Sequence, residues 1–225
     1  MLLYYITDRS QFAGDERTRR HALLQKIAAA ACAGVDVIQL REKDLSTHDL
    51  QELTIAALRT IRERSAPATG NRPVATALLI NSRTDVALAC GANGVHLRAD
   101  DISASEAHSI WSLSGNSTPP LISVSCHSPA DTARAAIEGA DLAVFAPVFE
   151  KRNSPSDPAG LDALREACRQ KTRVLALGGI TLQNAPGCIE AGAAGIAGIR
   201  LFQQNDISDI VRRLRETTRS TSSLS

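Results

Sequence analysis

Apolar residues along this chain fall into short runs: Leu2 to Thr7, Val35 to Arg41, Ala75 to Asn81, Gly94 to Leu97, Ile122 to His127, Leu142 to Phe149, Val174 to Gly178 and Gly195 to Arg200. Runs of this length and content predict strands. Between them, apolar residues recur at helical spacing near 20–32, 47–63, 83–90, 103–113, 129–138, 159–170, 182–190 and 206–217, so that each strand has its own helix. Four helix-to-strand joins repeat one pattern, Ala33-Gly34-Val35-Asp36, Cys90-Gly91-Ala92-Asn93, Glu138-Gly139-Ala140-Asp141 and Ala191-Gly192-Ala193-Ala194. In each, glycine can end a helix in the left-handed conformation and the next strand starts within a few residues, the short join of a β/α repeat.

Eight such units predict an α/β fold, a single (β/α)₈ TIM barrel over residues 1–216 with a frayed C-terminal tail over 217–225. A doubly wound sheet is the rival, but it concentrates ligand groups at one switch point. Here polar groups end many strands: Thr7 and Asp8, Gln39 to Lys43, Asn81, His96, Ser125 and His127, Gly178 and Gly179, and Arg200. A ring of strand ends is where a barrel places its active groups. Segments 65–74 and 112–120, rich in Ser, Pro, Gly and Asn, read as loops inside one domain.

Composition narrows the partners. The formal net charge of +1 lacks the basic excess of a general nucleic-acid binder and the acidic block of an interaction tail, so small molecules are the expected ligands. Five dispersed cysteines without a C-x-x-C predict neither a disulfide framework nor a zinc knuckle and fit a reducing cytoplasm. No apolar run reaches the ~18 residues of a membrane span. The expected partners are phosphorylated small molecules, with no nucleic acid and no membrane, and a homo-oligomer is compatible with the sequence.

The strongest chemical signal is Asp36 to Asp44, where a strand runs into charges without a turn residue. Ile38 and Leu40 suit the helix-covered face, whereas Gln39, Arg41 and Lys43 share the parity of Val37 and project from the other. Arg and Lys together suit an anion such as phosphate; the bland alternative is a strand end in which Glu42 and Asp44 neutralise the two cations. Asn81 ends an apolar strand and either serves a site or caps the next helix. Asp100 and Asp101 can hold Mg²⁺ through oxygen ligands, or Asp101 can cap a helix. Ser125 and His127 end another strand, His127 as a general base or a packing residue, with Cys126 read as core. Gly178 and Gly179, paired with the Gly195 to Arg200 strand end one unit later, match the place where barrels bind phosphate.

These pieces, in order, carry a resemblance. Tyr5-Ile6-Thr7-Asp8, Ile38-Gln39-Leu40-Arg41-Glu42-Lys43, Leu79-Ile80-Asn81, Gly94-Val95-His96-Leu97, Val124-Ser125-Cys126-His127, Ala146-Pro147-Val148-Phe149 and Leu177-Gly178-Gly179-Ile180 are similar over nearly the whole chain to the thiamine phosphate synthase and TenI-like thiazole tautomerase superfamily. The resemblance implies a barrel whose synthase members join a hydroxymethylpyrimidine diphosphate to a thiazole phosphate, releasing diphosphate, with Mg²⁺. It assigns Gln39 to the pyrimidine, Arg41, Lys43 and Asn81 to the diphosphate, Asp101 to the metal, Ser125 to the reacting centre, and Gly178 and Gly179 with the strand-eight loop to the thiazole phosphate.

The departures from the family pattern are specific. Ser82 stands where the family has an aspartate, so metal binding is expected to weaken or vanish. Arg98-Ala99 replaces Gly-Gln after strand four, and Lys151-Arg152-Asn153-Ser154 replaces Thr-x-Thr-Lys after strand six, with Lys151 or Arg152 as a substitute phosphate ligand. Arg200 stands where a small serine is usual, either binding phosphate or obstructing it. Pro147 follows the synthase pattern. The expected function is therefore a synthase with altered metal and phosphate contacts, with a TenI-like tautomerase or a noncatalytic phosphate-binding paralogue as the alternatives.

Overall fold

The computed structural model describes residues 1–64, 76–150 and 157–221, with side chains as far as residue 216. Its strands are β1 (Leu2–Ile6), β2 (Val37–Leu40), β3 (Ala77–Asn81), β4 (Gly94–Leu97), β5 (Leu121–Cys126), β6 (Leu142–Phe145), β7 (Arg173–Ala176) and β8 (Gly195–Gly198). They pair in parallel and in chain order, and β1 bonds to both β2 and β8, closing the barrel and excluding the open sheet. Outside lie α1 (Glu16–Ala33), α2 (Thr47–Arg64), α3 (Thr84–Cys90), α4 (Ala104–Leu113), α5 (Pro129–Ile137), α6 (Gly160–Ala167), α7 (Ala185–Glu190), α8 (Arg200–Gln203) and α9 (Ile207–Thr221).

Side-chain parity sorts the strands into two apolar layers. Tyr4, Ile6, Val37, Leu79, Leu142, Val144, Leu175 and Ala197 fill the barrel interior. Leu3, Tyr5, Ile38, Leu40, Leu78 and Ile80 pack outward under the helices. A one-residue slip of any strand would exchange the two sets, so burial on both faces fixes the register. Gln39, pairing with Ile6 on one side and Leu79 on the other, belongs to the inner set and is 1% exposed.

The predicted helix stops are realised. Gly34 ends α1 in the left-handed region at φ 83°, its N–H reaching the carbonyls of Ala30 and Ala31, and Gly91, Gly139 and Gly192 also have positive φ. Two expectations at strand ends are corrected. β2 stops at Leu40, so Arg41 and Lys43 follow the strand rather than extend it. Arg200 opens the short helix α8 instead of closing β8, because the strand ends at Gly198 and Ile199 already has helical backbone angles. The helix α9 continues to Thr221, past the expected boundary at 216. The 65–74 loop lies outside the described residues.

Candidate active site

Arg9 organises the end of β2. Asp8 accepts the Ser10 N–H and starts a single 3-10 turn over Arg9–Gln11, which delivers Arg9 to the far side of the β2 loop. Its buried guanidinium contacts Glu42 at 3.1 Å, Asp44 at 2.6 and 2.9 Å, and Glu16 at 2.9 Å. Glu42 also accepts the Thr7 hydroxyl at 2.5 Å and the Arg9 backbone N–H at 3.0 Å, while Thr7 Oγ1 accepts the Arg41 N–H at 3.0 Å. The bland alternative is thereby corrected: Glu42 and Asp44 are held by Arg9, not by Arg41 and Lys43. Among the described residues neither of those two side chains has a hydrogen bond or ion pair. The Lys43 ammonium is held below its ordinary range, chiefly by the Arg41 charge, then by burial and by Arg98. Two neighbouring cations that destabilise each other are ready to be neutralised by an anion.

Beside them, Gln39 Nε2 donates to Asn81 Oδ1 at 2.8 Å, and Asn81 Nδ2 donates to Ser82 Oγ at 3.1 Å. Asn81 caps no helix, since Arg83 precedes α3 and no side chain caps it. Gln39 Oε1 is buried without a hydrogen-bond partner among the described residues. A buried acceptor left unpaired costs about 1–3 kcal/mol, so this carbonyl suits a ligand N–H at the barrel mouth.

One register step further round, Asn81 pairs with His96 and His96 with Ser123. His96 is buried, with Nδ1 2.6 Å from Ser123 Oγ and Nε2 2.9 Å from Ser125 Oγ. Tyr4, fully buried on β1, places its hydroxyl 3.1 Å from Ser123 Oγ and 3.4 Å from His96 Nδ1. Burial pushes the His96 pKa down to about 3, opposed in part by Asp101 and assisted by Arg41, so the ring is neutral at neutral pH. Because the unfolded chain then binds the extra proton, the penalty is absent above about 6.5 and grows by about 1.4 kcal/mol per pH unit as pH falls from there toward 3. Urea midpoints measured at pH 7, 5.5 and 4.5 are expected to fall accordingly, and His96→Gln to flatten the fall; equal slopes in the two proteins would contradict it.

After β4, Arg98 occupies the ground expected of a metal. Asp101 accepts the Arg98 backbone N–H at 2.7 Å and lies 3.5 Å from its guanidinium, and Asp100 pairs with the same guanidinium at 3.0 Å. Asp101 is not a cap either: α4 begins with a capping box of Ser103 and Glu106. At the end of β3 the facing residue is Ser82, which offers a hydroxyl already shared with Asn81. No group of three or more His, Cys, Asp or Glu side chains suited to a metal occurs among the described residues. The donors present do not fit a resident Mg²⁺, since its one well-placed carboxylate is matched to a guanidinium and its expected partner carboxylate is absent.

The other predicted residues sit on the same rim. Gly178 and Gly179 both have positive φ after β7, and a Cβ on Gly179 would lie 2.6 Å from the Glu150 carbonyl oxygen, so the β6 and β7 loops can approach only across a glycine. The N–H groups of Gly178 and Gly179 have no hydrogen bond among the described residues. Exposed Arg200, at the start of α8, stands at the neighbouring strand end, the barrel position where a short extra helix accompanies a phosphate site. Exposed His127 is tied by Nδ1 to the Ala146 carbonyl at 2.7 Å and by its backbone to Asp131; Cys126 is core, its thiol pushed up to about 11 by burial. Lys151 lies outside the described residues. Sequence reasoning missed Arg9 and Tyr4, whose partners lie on other elements of the fold.

No described helix is long and apolar enough to cross a membrane. The thiamine monophosphate synthase family model matches residues 3–202. A thiamine-phosphate synthase of Methanoculleus marisnigri is 37% identical over 220 residues, covering 95% of this chain and 93% of that protein. One from Chloroflexus aurantiacus is 35% identical over 218 residues, covering 95% and 90%. Among solved structures, thiamine phosphate pyrophosphorylase from Pyrococcus furiosus matches with a TM-score of 0.77 at 27% identity, over 97% of this chain and 96% of that one. Since the match runs from β1 into α8 and takes in every strand end described above, the chain belongs to the thiamine monophosphate synthase family.

Proposed function

We propose that this protein is a transferase that joins a hydroxymethylpyrimidine diphosphate to a thiazole phosphate, giving thiamine phosphate and diphosphate. The observation that carries this is the pair Arg41 and Lys43, left without an ion pair among the described residues because Arg9 takes Glu42 and Asp44. In the reaction the bond from the pyrimidine methylene carbon to the diphosphate oxygen breaks, its electron pair leaving with the diphosphate. The thiazole ring nitrogen then supplies the pair for the new C–N bond. Arg41 and Lys43 stabilise the charge on the departing group, and the unpaired Gln39 carbonyl accepts an N–H of the pyrimidine. Asn81 fixes the Gln39 amide, Ser125 lies beside the reacting carbon, and Gly178, Gly179 and Arg200 take the thiazole phosphate. Positioning and charge stabilisation are the enzyme's main tasks in such a step.

Mg²⁺, expected from the family, finds no fitting donor set here, and no step depends on it. The cation in its place is Arg98, whose Nε and Nη1 make no hydrogen bond among the described residues and can donate to the diphosphate. Incubation of the purified protein with both substrates is expected to yield thiamine phosphate in Mg²⁺ and in chelator. Arg98→Ala is expected to lose about tenfold in activity in Mg²⁺ and in chelator alike, the scale of one charge-assisted hydrogen bond. No thiamine phosphate at any Mg²⁺ concentration would refute the function, whereas native activity abolished by chelator would refute the role of Arg98 alone.

A further inference from the structure

The 2.9 Å contact between His96 Nε2 and Ser125 Oγ resembles a base poised to activate a hydroxyl. The hydrogens behind it point the other way. We infer that Tyr4 and Ser123 are positioning residues that hold His96 in the Nε2–H tautomer, so that Ser125 receives a hydrogen bond from the ring and directs its own O–H at the substrate. This deepens the proposed function, on which the identity of the substrate rests.

The argument is an accounting of donors in a dry compartment. Tyr4 and Ser123 are fully buried, and His96 nearly so. Among the described residues, the only hydrogen-bond partners of the Tyr4 hydroxyl are Ser123 Oγ at 3.1 Å and His96 Nδ1 at 3.4 Å, and Ser123 Oγ bonds only to Tyr4 and to His96 Nδ1. If Nδ1 is unprotonated, Tyr4 donates to Ser123, Ser123 donates to Nδ1 at 2.6 Å, and every hydrogen has an acceptor. If Nδ1 carries the hydrogen, it occupies Ser123 Oγ. The two hydroxyl hydrogens of Tyr4 and Ser123 then share one remaining acceptor direction, and one of them is stranded. A stranded buried donor disfavours that arrangement by roughly ten- to a hundredfold in population. Double protonation is opposed by the same burial, which holds the ring neutral at neutral pH.

The tautomer decides what Ser125 can do. With Nε2–H donating to its oxygen, Ser125 has no base to take its proton and is not a nucleophile. Its hydrogen is free for an acceptor on the ligand, a phosphate oxygen or a pyrimidine ring nitrogen. Ser125 is half-buried, on the same strand as Ser123 but two residues nearer the barrel mouth, so the hydrogen-bonded chain runs outward from Tyr4 to the ligand.

Long-range ¹H–¹⁵N NMR of histidine-labelled protein without substrate tests this directly. His96 is expected to show a protonated Nε2 and an unprotonated Nδ1 throughout pH 6–8. Ser125→Ala is expected to keep that pattern, because the inner residues set it. Tyr4→Phe with Ser123→Ala is expected to give a mixture of tautomers and to lower kcat about tenfold. An Nδ1–H or imidazolium signal in the native protein, or a tautomer switch in Ser125→Ala, would overturn the inference. The native and Ser125→Ala spectra decide it even if the double variant fails to fold, and neither depends on which substrates the protein accepts.

Discussion

Arg41→Ala is expected to lower kcat about 10²- to 10³-fold, the usual scale for removing one preorganised donor to a developing oxyanion. Arg41 makes no side-chain ion pair or hydrogen bond among the described residues, so its removal strands no partner, and stability is expected to stay within about 0.5 kcal/mol. The two readouts therefore separate. Steady-state kinetics fall while the thermal transition stays in place. Arg41→Lys keeps the charge but loses the planar fork and is expected to recover only part of the rate. Lys43, already strained by the Arg41 charge, becomes easier to protonate when Arg41 is removed and so compensates slightly. An alanine variant with native kinetics would show that the departing diphosphate binds elsewhere.

Arg9→Ala is expected to be the most destabilising substitution at the site, by about 3–5 kcal/mol, because it leaves the Glu42 carboxylate buried without its cation. The Glu42 side chain is 2% exposed, and burial already pushes its carboxyl above the ordinary range despite Thr7 and the Arg9 N–H and guanidinium. Urea unfolding at neutral pH checks the loss through the shift in midpoint. Combining Arg9→Met with Glu42→Leu is expected to recover much of it, since a well-packed apolar pair removes the stranded charge. Function changes for a second reason. Asp44, released from Arg9, becomes available to Lys43 and Arg41, so the affinity for inorganic diphosphate is expected to drop even in protein that remains folded. An unchanged urea midpoint would mean that Glu42 is solvated and the Arg9 contacts are surface pairs of small worth.

The altered metal position bears on the choice among the three functions weighed from sequence. Ser82 removes one carboxylate and Arg98 adds a guanidinium, paired with Asp100 and Asp101, which leaves the ground beside Arg41 and Lys43 more positive. A site relieved of diphosphate chemistry would have no use for that exchange. The synthase pattern at Pro147 and the similarity to thiamine-phosphate synthases over most of both chains point the same way.

Local signals were readable where one element supplies the whole answer. Period-2 parity put Gln39 inside the barrel, glycine joins ended helices, and the glycine pair after the seventh strand marked a close approach of backbones. The Ser103 and Glu106 capping box was also legible from its spacing, and it displaces Asp101 as the cap. The errors have one origin. Arg9 meets Glu42 across 33 positions, and Tyr4 meets Ser123 across 119, so the alternative that paired Glu42 and Asp44 with Arg41 and Lys43 rested on sequence neighbours alone. His96 looked like one more strand end until register set it between two serines.

The sequence by itself determined that the chain alternates strand and helix, which face of each strand is apolar, and which side chains crowd the strand ends, because these follow from local periodicity and side-chain chemistry. Only the tertiary structure decided which acid pairs with which base, that Tyr4, Ser123 and His96 meet in one buried cluster, and that Arg98 pairs with Asp100 and Asp101. Barrel closure brings β1 against β8 and sets the strand registers, and charge pairing and proton position depend on distances of a few ångströms between residues far apart in the chain.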